Sequence, residues 1–409
     1  MAMSALIAGY SSANALEVVP VVNATLMGGQ YIFKGDRSDL GINAGLVASP
    51  TIRQNDQWSY VPIYAGNYSG TKGVNDGVAA GTLYQQEMDH RVSFTAIDSV
   101  PGTNWKLKPS ASYKYEFLKE TKDEQWGHGL FDYEKIGLGF EAENVYKDPF
   151  SYRLGLDLYR IRFPNFQSLE STSGTDPLGN PLNRENAGTN VLDTYNYQLS
   201  ANGAMPYPFD NPVVALNGGY SVLYQDYHNE TLVDSRGQLE SSTRKDFLQT
   251  VTASVGYPRK VVLFDEECQM DAAFGVNLAL NLSNQNTFDA SQTQFIENSY
   301  SYVDAGLGPK VSVSWGDKKR PAQVAGALNF DRTMYMGRLA QDGGGLYTGQ
   351  HLYENHYSIG LDYRYPIAEQ FYLKAQANVL FVRSNNHFET TYSYNYTTEN
   401  YLLGFTYEF

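Results

Sequence analysis

Histidine and serine are the residues of this sequence best suited to hydrolytic chemistry. Such a site needs a serine within hydrogen-bond reach of a histidine, and a carboxylate or amide that orients the histidine ring. The six histidines are His90, His128, His228, His351, His356 and His387. Tyr357 and Ser358 follow His356, and Ser384 lies near His387, but none of these residues belongs to a recognised motif. We therefore predict no catalytic residue.

The chain also lacks the usual signatures of bound metals, phosphates and nucleic acids. It contains no G-x-S-x-G motif, no phosphate-binding loop and no Cys/His spacing typical of zinc. Its 30 basic and 44 acidic residues give a net charge of −14, which argues against a nucleic-acid partner. Cys268 is the single cysteine, so an internal disulfide cannot form. We predict no cofactor and no metal.

Composition narrows the possible membrane architectures. No run of 18 apolar residues occurs, so helical spans are excluded. The mean hydropathy of −0.41 is still compatible with a transmembrane β-barrel, because only alternate residues of its strands face lipid. The 33 tyrosines suit the interfacial girdles of such a barrel, where the ring lies in lipid and the hydroxyl in water.

A period of two dominates the sequence from Leu16 onward. Successive side chains of a strand point to opposite faces, so this period predicts strands. From Met270 to Leu282 every second residue is apolar, and the residues between are small or polar. We predict strands at 17–33, 40–54, 57–66, 87–99, 104–118, 131–146, 150–164, 193–207, 212–227, 244–258, 269–283, 299–315, 321–336, 352–365, 371–383 and 393–409.

The last strand carries the most specific signal. Its alternating apolar positions are Tyr401, Leu403, Phe405, Tyr407 and the C-terminal Phe409. This ending resembles the closing strand of bacterial outer-membrane β-barrels, a porin-like superfamily of Gram-negative cells. The resemblance implies an all-β fold, a closed antiparallel transmembrane barrel in the outer membrane. It also implies that the barrel-assembly machinery recognises those five residues. No subfamily is identified, and no functional residue is carried over.

The connections alternate between short and long. Short turns rich in Pro, Gly, Asp and Asn lie near 100–104, 147–149, 208–212, 316–321 and 366–369. Long loops lie near 67–86, 119–130, 165–192, 229–243, 284–298, 337–350 and 384–391. In outer-membrane barrels the short turns are periplasmic and the long loops extracellular. Sixteen strands put both ends of the chain on the periplasmic side, although fourteen or eighteen remain possible.

Three details of this layout stay open. The strand at 57–66 is the least secure because Pro62 lies in its middle. The connection at 258–268 is either a short helix or a hairpin extension. The loop at 165–192, the longest, either folds into the lumen or is exposed, whereas Gly343–Gly345 indicates a flexible loop.

The N-terminal residues have a different character. Residues 1–15 contain a short apolar run and the A-x-A sequence Ala13-Asn-Ala15, which predicts a truncated secretory signal peptide. The alternative is a first strand or a helical plug segment. We expect residues 16–409 to form a single barrel domain.

The polar faces of the predicted strands would line the lumen. They carry eight basic and eight acidic candidates: Lys106, Lys108, Lys114, Glu116, Lys135, Glu141, Glu143, Arg153, Asp157, Asp271, Asp304, Lys310, Asp331, Asp362, Arg364 and Lys374. Equal numbers predict weak ion preference, or a transverse field if the signs lie on opposite walls. Three lysines cluster on the strand at 104–118, which favours opposite walls. Salt bridges within the wall, with no role in selecting solutes, are the alternative.

A barrel of about sixteen strands is too wide for its side chains to fill, so it leaves an aqueous lumen unless something plugs it. We therefore expect an outer-membrane channel that passes small hydrophilic solutes by passive diffusion. The alternatives are an outer-membrane enzyme of the lipid A deacylase or phospholipase type, a secretion barrel and a surface anchor. Expected partners are outer-membrane lipids, lipopolysaccharide and the assembly machinery. Acidic connections such as 119–126 and 265–267 are either a solvated surface or cation-bridged to lipopolysaccharide.

Overall fold

The computed structural model describes residues 16–33, 37–70, 86–119, 124–145, 151–168, 172–183, 188–206, 214–263, 265–289, 294–389 and 393–409. Within these residues sixteen antiparallel strands form one closed barrel, in which each strand pairs with the next and the last pairs with the first. The strands are β1 (Val22–Phe33), β2 (Arg37–Ala48), β3 (Trp58–Ser69), β4 (Gln86–Ser99), β5 (Trp105–Lys119), β6 (Tyr133–Val145), β7 (Ser151–Arg162), β8 (Thr194–Pro206), β9 (Ala215–Val233), β10 (Leu239–Leu263), β11 (Glu266–Ser283), β12 (Tyr302–Asp317), β13 (Arg320–Gln341), β14 (Tyr347–Ala368), β15 (Phe371–Ser384) and β16 (Tyr396–Glu408). The predicted fold class and strand number are confirmed.

Some predicted features fall outside this description. The predicted signal peptide at 1–15 and the turns predicted at 147–149 and 208–212 lie outside the described residues. So do residues 71–85 of the loop at 67–86 and residues 120–123 of the acidic connection. In the described part of the chain, no helix has the length and apolar character needed to span a membrane.

Each predicted strand corresponds to one barrel strand, but proline shortens the first two. The segment at 17–33 is interrupted at Pro20 and the segment at 40–54 at Pro50. Beyond these breaks, Glu17–Val19 pairs with Thr51–Arg53, which in turn pairs with β3. The pairing of neighbouring residues places Pro50 opposite Pro62 of β3. Pro62 is therefore tolerated because the ladder on one side of it is already broken there.

Three hairpins are longer than predicted, and two of them replace connections that were predicted to be long loops. β9–β10 and β13–β14 remain paired through most of the predicted loops at 229–243 and 337–350, which leaves only 234–238 and 342–346 as turns. At the other end of the barrel, β10 runs to Leu263 and β11 begins at Glu266. The connection at 258–268 is thus a hairpin extension, and the alternative of a short helix is wrong.

The same turn closes three hairpins at one end of the barrel. Asp234 accepts hydrogen bonds from the backbone N–H groups of Arg236 and Gln238, each at 2.9 Å, and Gly237 has φ 76°. Asp342 and Gly345 repeat this arrangement in β13–β14, with φ 85° at the glycine. Asp176 repeats it in the loop between β7 and β8. Gly343–Gly345 therefore belongs to an aspartate-capped turn, and its flexibility stays a prediction.

Two of these tips, those at Asp176 and Asp234, pack together with the β11–β12 connection. Leu182, Val233 and Phe288 form a buried cluster that joins the β7–β8 loop, the β9–β10 hairpin and the β11–β12 connection. Asn183 reinforces it, because its backbone and side-chain N–H groups both donate to the carbonyl of Gly237 at 2.9 Å. The described part of the longest loop thus rests on the β9–β10 hairpin tip.

Glycines allow the barrel to close between β1 and β16. A Cβ at Gly404 would meet the carbonyl oxygen of Leu26, and a Cβ at Gly29 would meet that of Tyr401. Val22 and Phe409 complete the seam by exchanging two backbone hydrogen bonds of 2.8 Å. The terminal aromatic residue therefore lies at the seam.

The outer face of the barrel is apolar. Side chains such as Leu138, Leu156, Ile359 and Phe405 are 39–66% exposed, and the nearest residues on the same face of each strand are also apolar or aromatic. In water such a belt would be unfavourable, whereas lipid tails match it. The residues that alternate with the belt point to the interior of the barrel.

Candidate functional site

All sixteen predicted lumen residues alternate with the apolar belt and therefore lie on the inner face of the barrel. Their role in solute passage stays a prediction. Several inner-face side chains keep substantial exposure, including Arg153, Asp157 and Lys310. Protein atoms therefore do not fill the space around them.

Seven of the sixteen are held in ion pairs. Lys108 contacts both Glu141 and Glu143 at 2.7 Å, and Glu143 also accepts from Arg153 at 2.8 Å. Lys114 contacts Glu116 at 2.6 Å. For these residues the structure has the salt bridges within the wall that were the alternative to a role in the lumen field. The seventh, Arg364, pairs with Glu408 of β16.

We call the inner face of β4–β7 the paired wall, because most of these contacts lie there. Lys106 and Lys135 have no ion pair within 4.0 Å among the described residues, and Lys135 instead stacks 3.6 Å from the centre of the Tyr159 ring. Arg91 of β4 likewise has no ion pair or hydrogen bond in the described part of the chain, and it is exposed. Asp157 likewise has no ion pair among the described residues.

The inner face of β11–β14, the acidic wall, has one such aspartate on each strand. These are Asp271, Asp304, Asp331 and Asp362, and none has an ion pair within the described residues. Neutral groups hold three of them. Asp304 accepts from Thr333 at 2.7 Å and from Asn277 at 3.2 Å. Gln269 donates to Asp271 at 3.2 Å, and Gln376 donates to Asp362 at 2.5 Å.

The two walls face each other, because β5 and β13 are eight strands apart in a ring of sixteen. Once the ion pairs are set aside, the paired wall retains Arg91, Lys106 and Lys135 against Asp157. The acidic wall retains four aspartates against Lys310. Lys374 lies on β15, beyond the acidic wall. The signs are thus separated among the unpaired residues, although the complete set is balanced.

Sequence reasoning missed several inner-face residues. Arg91 and Asp89 lie on β4 in alternation with Val92 and Phe94, so the period-two pattern that located the other candidates was also present here. Arg244 of β10 was missed because the predicted strand began at that residue. Its guanidinium lies 4.1 Å from the Tyr227 ring and 3.9 Å from the Tyr300 ring, and it pairs with Asp246 at 2.6 Å.

The histidines have partners that do not form a hydrolytic site. His90 hydrogen-bonds the Tyr64 hydroxyl at 3.0 Å, His356 contacts Glu354 at 3.4 Å, and His228 stacks on Tyr195 with ring centres 4.9 Å apart. Across the described residues no serine hydroxyl hydrogen-bonds a histidine. The same part of the chain contains no group of three His, Cys, Asp or Glu side chains that could hold a metal ion.

No family model matches the sequence, and no curated protein matches it significantly. Solved structures of similar fold include CdiB from Acinetobacter baumannii, with 10% identity, 97% of this chain and 66% of that chain covered, and a TM-score of 0.47. The outer membrane protein opdK from Pseudomonas aeruginosa has 9% identity, covers 96% and 99%, and has a TM-score of 0.46. A bacterial polysaccharide outer membrane secretin has 9% identity, covers 96% and 98%, and has a TM-score of 0.44. Similarity at this level says nothing about activity.

The barrel itself defines the class of protein. A sheet in lipid must close so that every backbone N–H and C=O is paired, and this sheet closes with an apolar belt outside and polar residues inside. The chain is a closed, sixteen-stranded β-barrel of the membrane-spanning type.

Proposed function

We propose that the protein is a passive channel for small hydrophilic solutes. The observation that supports it is the exposure of charged side chains on the inner face, such as Arg91, Arg153 and Asp157. In a barrel of sixteen strands such residues line water, because side chains alone cannot fill the interior. A polar lumen lowers the cost of moving a hydrated solute across the membrane.

The unpaired charges would give this channel a transverse field. Cations on the paired wall and aspartates on the acidic wall would orient dipolar solutes as they pass. Over the whole lumen the five unpaired cations named above balance the five unpaired aspartates, so we expect a field across the lumen but only a weak ion preference.

Conductance in a planar bilayer tests this proposal. We expect discrete current steps of stable size from the purified protein, and a small reversal potential under a salt gradient, as a weak ion preference requires. A folded barrel that gives no steps would contradict the channel and favour an outer-leaflet enzyme or a surface anchor. Heat-modifiable migration in gels supplies the check that the barrel is folded.

We also propose that the C-terminal strand directs assembly. Tyr401, Leu403, Phe405 and Tyr407 share the outer face of β16, and Phe409 ends the chain beside Val22 at the seam. The barrel-assembly machinery, outer-membrane lipids and lipopolysaccharide are the proposed partners. Replacing Phe409 by serine should lower the amount of folded barrel in the outer membrane and leave the total amount synthesised unchanged.

A further inference from the structure

The paired wall contains a row of three cations at one level. Arg91 of β4 is paired in register with Lys114 of β5, and Lys114 is paired with Lys135 of β6. Residues paired in this way have Cβ atoms about 5 Å apart, and like charges at that spacing destabilise a sheet. Lys114 is compensated by Glu116 at 2.6 Å, whereas Arg91 and Lys135 have no ion pair in the described part of the chain.

Hydroxyl groups lie directly beside this row. The next paired row consists of Ser93, Ser112 and Gly137. The row after it consists of Thr95, Ser110 and Gly139, in the same register. None of the four hydroxyls has a hydrogen-bond partner among the described residues. They are therefore available as donors to a ligand.

Because Gly137 and Gly139 have no side chains, this part of the wall leaves room for a cavity. A Cβ at Gly139 would lie 2.6 Å from the Ser110 hydroxyl, and one at Gly137 would lie 3.0 Å from the Cβ of Tyr159. The resulting cavity has a volume of about 350 Å³ and is lined by the three cations, the four hydroxyls and the two glycines. Tyr159 and Gln198 close its far side.

We propose that this cavity is a binding site for oxyanions, such as the phosphate or carboxylate group of a small solute. Arginine and lysine donate strong charge-assisted hydrogen bonds to such groups, and serine and threonine hydroxyls complete the coordination. A bound anion would also relieve the repulsion within the cation row. The site rests on the proposed channel function, because the solute must reach the cavity through the lumen.

Asp157 is the opposing charge in the cavity. It lies on β7, in register with Gly139, and its carboxylate oxygen would lie 2.6 Å from a Cβ at that glycine. It has no hydrogen bond or ion pair among the described residues. We expect Asp157 to weaken anion binding, so that the affinity stays low enough for the solute to leave. Its removal should therefore tighten binding.

Inorganic phosphate is the probe, and its line broadening in phosphorus NMR spectra of the detergent-folded barrel measures binding without requiring conductance. The double variant Arg91→Gln/Lys135→Gln should weaken phosphate binding by about tenfold or more, because two charge-assisted donors are lost. Asp157→Asn should strengthen it about threefold, as expected for one screened like charge. The single variants Arg91→Gln and Lys135→Gln serve if the double variant does not fold.

Lys310→Gln is the matched control, since it removes an exposed inner-face cation from β12, away from the cavity. The proposal is overturned if the folded double variant binds phosphate as the natural chain does. It is also overturned if Lys310→Gln weakens binding equally. A barrel that conducts but does not bind phosphate would contradict this site and leave the channel intact. A barrel that binds phosphate but gives no current steps would contradict the channel and leave the binding site intact.

Discussion

The paired wall and the acidic wall hold their charges in different ways. On the paired wall Lys108, Glu141, Glu143 and Arg153 neutralise one another through contacts of 2.7–2.8 Å. On the acidic wall Asp304 and Asp362 are held by neutral donors, so their charge stays uncompensated. The first arrangement stabilises the sheet and leaves little field, whereas the second adds little stability and directs its field into the lumen. A count of charges cannot distinguish the two.

The largest expected effect comes from neutralising the acidic wall. The quadruple variant Asp271→Asn, Asp304→Asn, Asp331→Asn, Asp362→Asn should lower the cation-to-anion permeability ratio about tenfold, because the local counter-ion concentration follows the wall potential. The reversal potential in a planar bilayer under a salt gradient measures this ratio.

Asparagine retains one acceptor oxygen, so the donors Thr333 and Gln376 keep a partner in this variant. Asp317→Asn, at the last residue of β12, is the control and should leave the ratio unchanged. An unchanged reversal potential in the folded quadruple variant would show that the acidic wall does not govern selectivity.

The second prediction concerns the free energy of unfolding, which we expect to depend more on the paired wall than on the acidic wall. Glu143 is buried and contacts both Lys108 and Arg153. Glu143→Gln should lower the free energy of unfolding by about 1–3 kcal/mol, because it leaves two cations undercompensated. Asp362→Asn, which breaks no ion pair, should change it by only about 0.5 kcal/mol.

Urea unfolding of the barrel in lipid vesicles, followed by tryptophan fluorescence, compares these two variants. The distinction between the walls would not hold if Asp362→Asn destabilised the barrel as much as Glu143→Gln.

The sequence predicted the barrel well because the period of two is a local signal. Strand existence follows from the period of two, which a single chain displays directly, and all sixteen segments were located in this way. The pairing of charges could not be predicted, because Lys108 and Glu141 are 33 residues apart and become neighbours only through the register of β5 and β6. The capped turns could have been found, since Asp-x-x-Gly recurs at Asp176, Asp234 and Asp342. Their glycines made these connections resemble irregular loops.

A smaller effect is expected from a glycine on the acidic wall. A Cβ at Gly306 would meet the carboxylate of Asp331 and the amide oxygen of Asn277. Gly306→Ala should therefore turn the Asp331 side chain away and lower the cation-to-anion ratio about twofold, as one of several charges is moved. Reversal potentials again provide the measurement.

Gly326→Ala of β13 is the matched control, because a Cβ there meets nothing within 4 Å. If Gly306→Ala and Gly326→Ala changed the ratio equally, the position of the Asp331 carboxylate could not be the cause.

The smallest expected effect concerns the carboxylates of the loops. It tests whether they act independently of the carboxylates of the acidic wall. Hydrogen bonds from the backbone of Gln238 and from Arg236 lower the pKa of Asp234 in the β9–β10 turn, and the side chain of Asn180 does the same to the pKa of Asp176. A carboxylate whose pKa is lower in the folded state than in the unfolded state stabilises the folded turn at pH values above the unfolded pKa of about 4. This stabilisation is lost as the pH falls through the lowered pKa. We therefore expect hydrogen exchange at the Gln238 amide, corrected for its intrinsic rate, to accelerate only below about pH 4.

Asp234→Ala should make exchange at this tip fast at every pH and leave the reversal potential at neutral pH unchanged, because the turn lies outside the barrel wall. The tip does pack on Phe288 of the connection between two acidic-wall strands, so a mechanical route to the wall exists. A shifted reversal potential in Asp234→Ala would mean that the loops set the arrangement of the wall aspartates. Selectivity would then depend on both the wall and the hairpins at that end of the barrel, and the contrast between the two walls would have to include the loops above them.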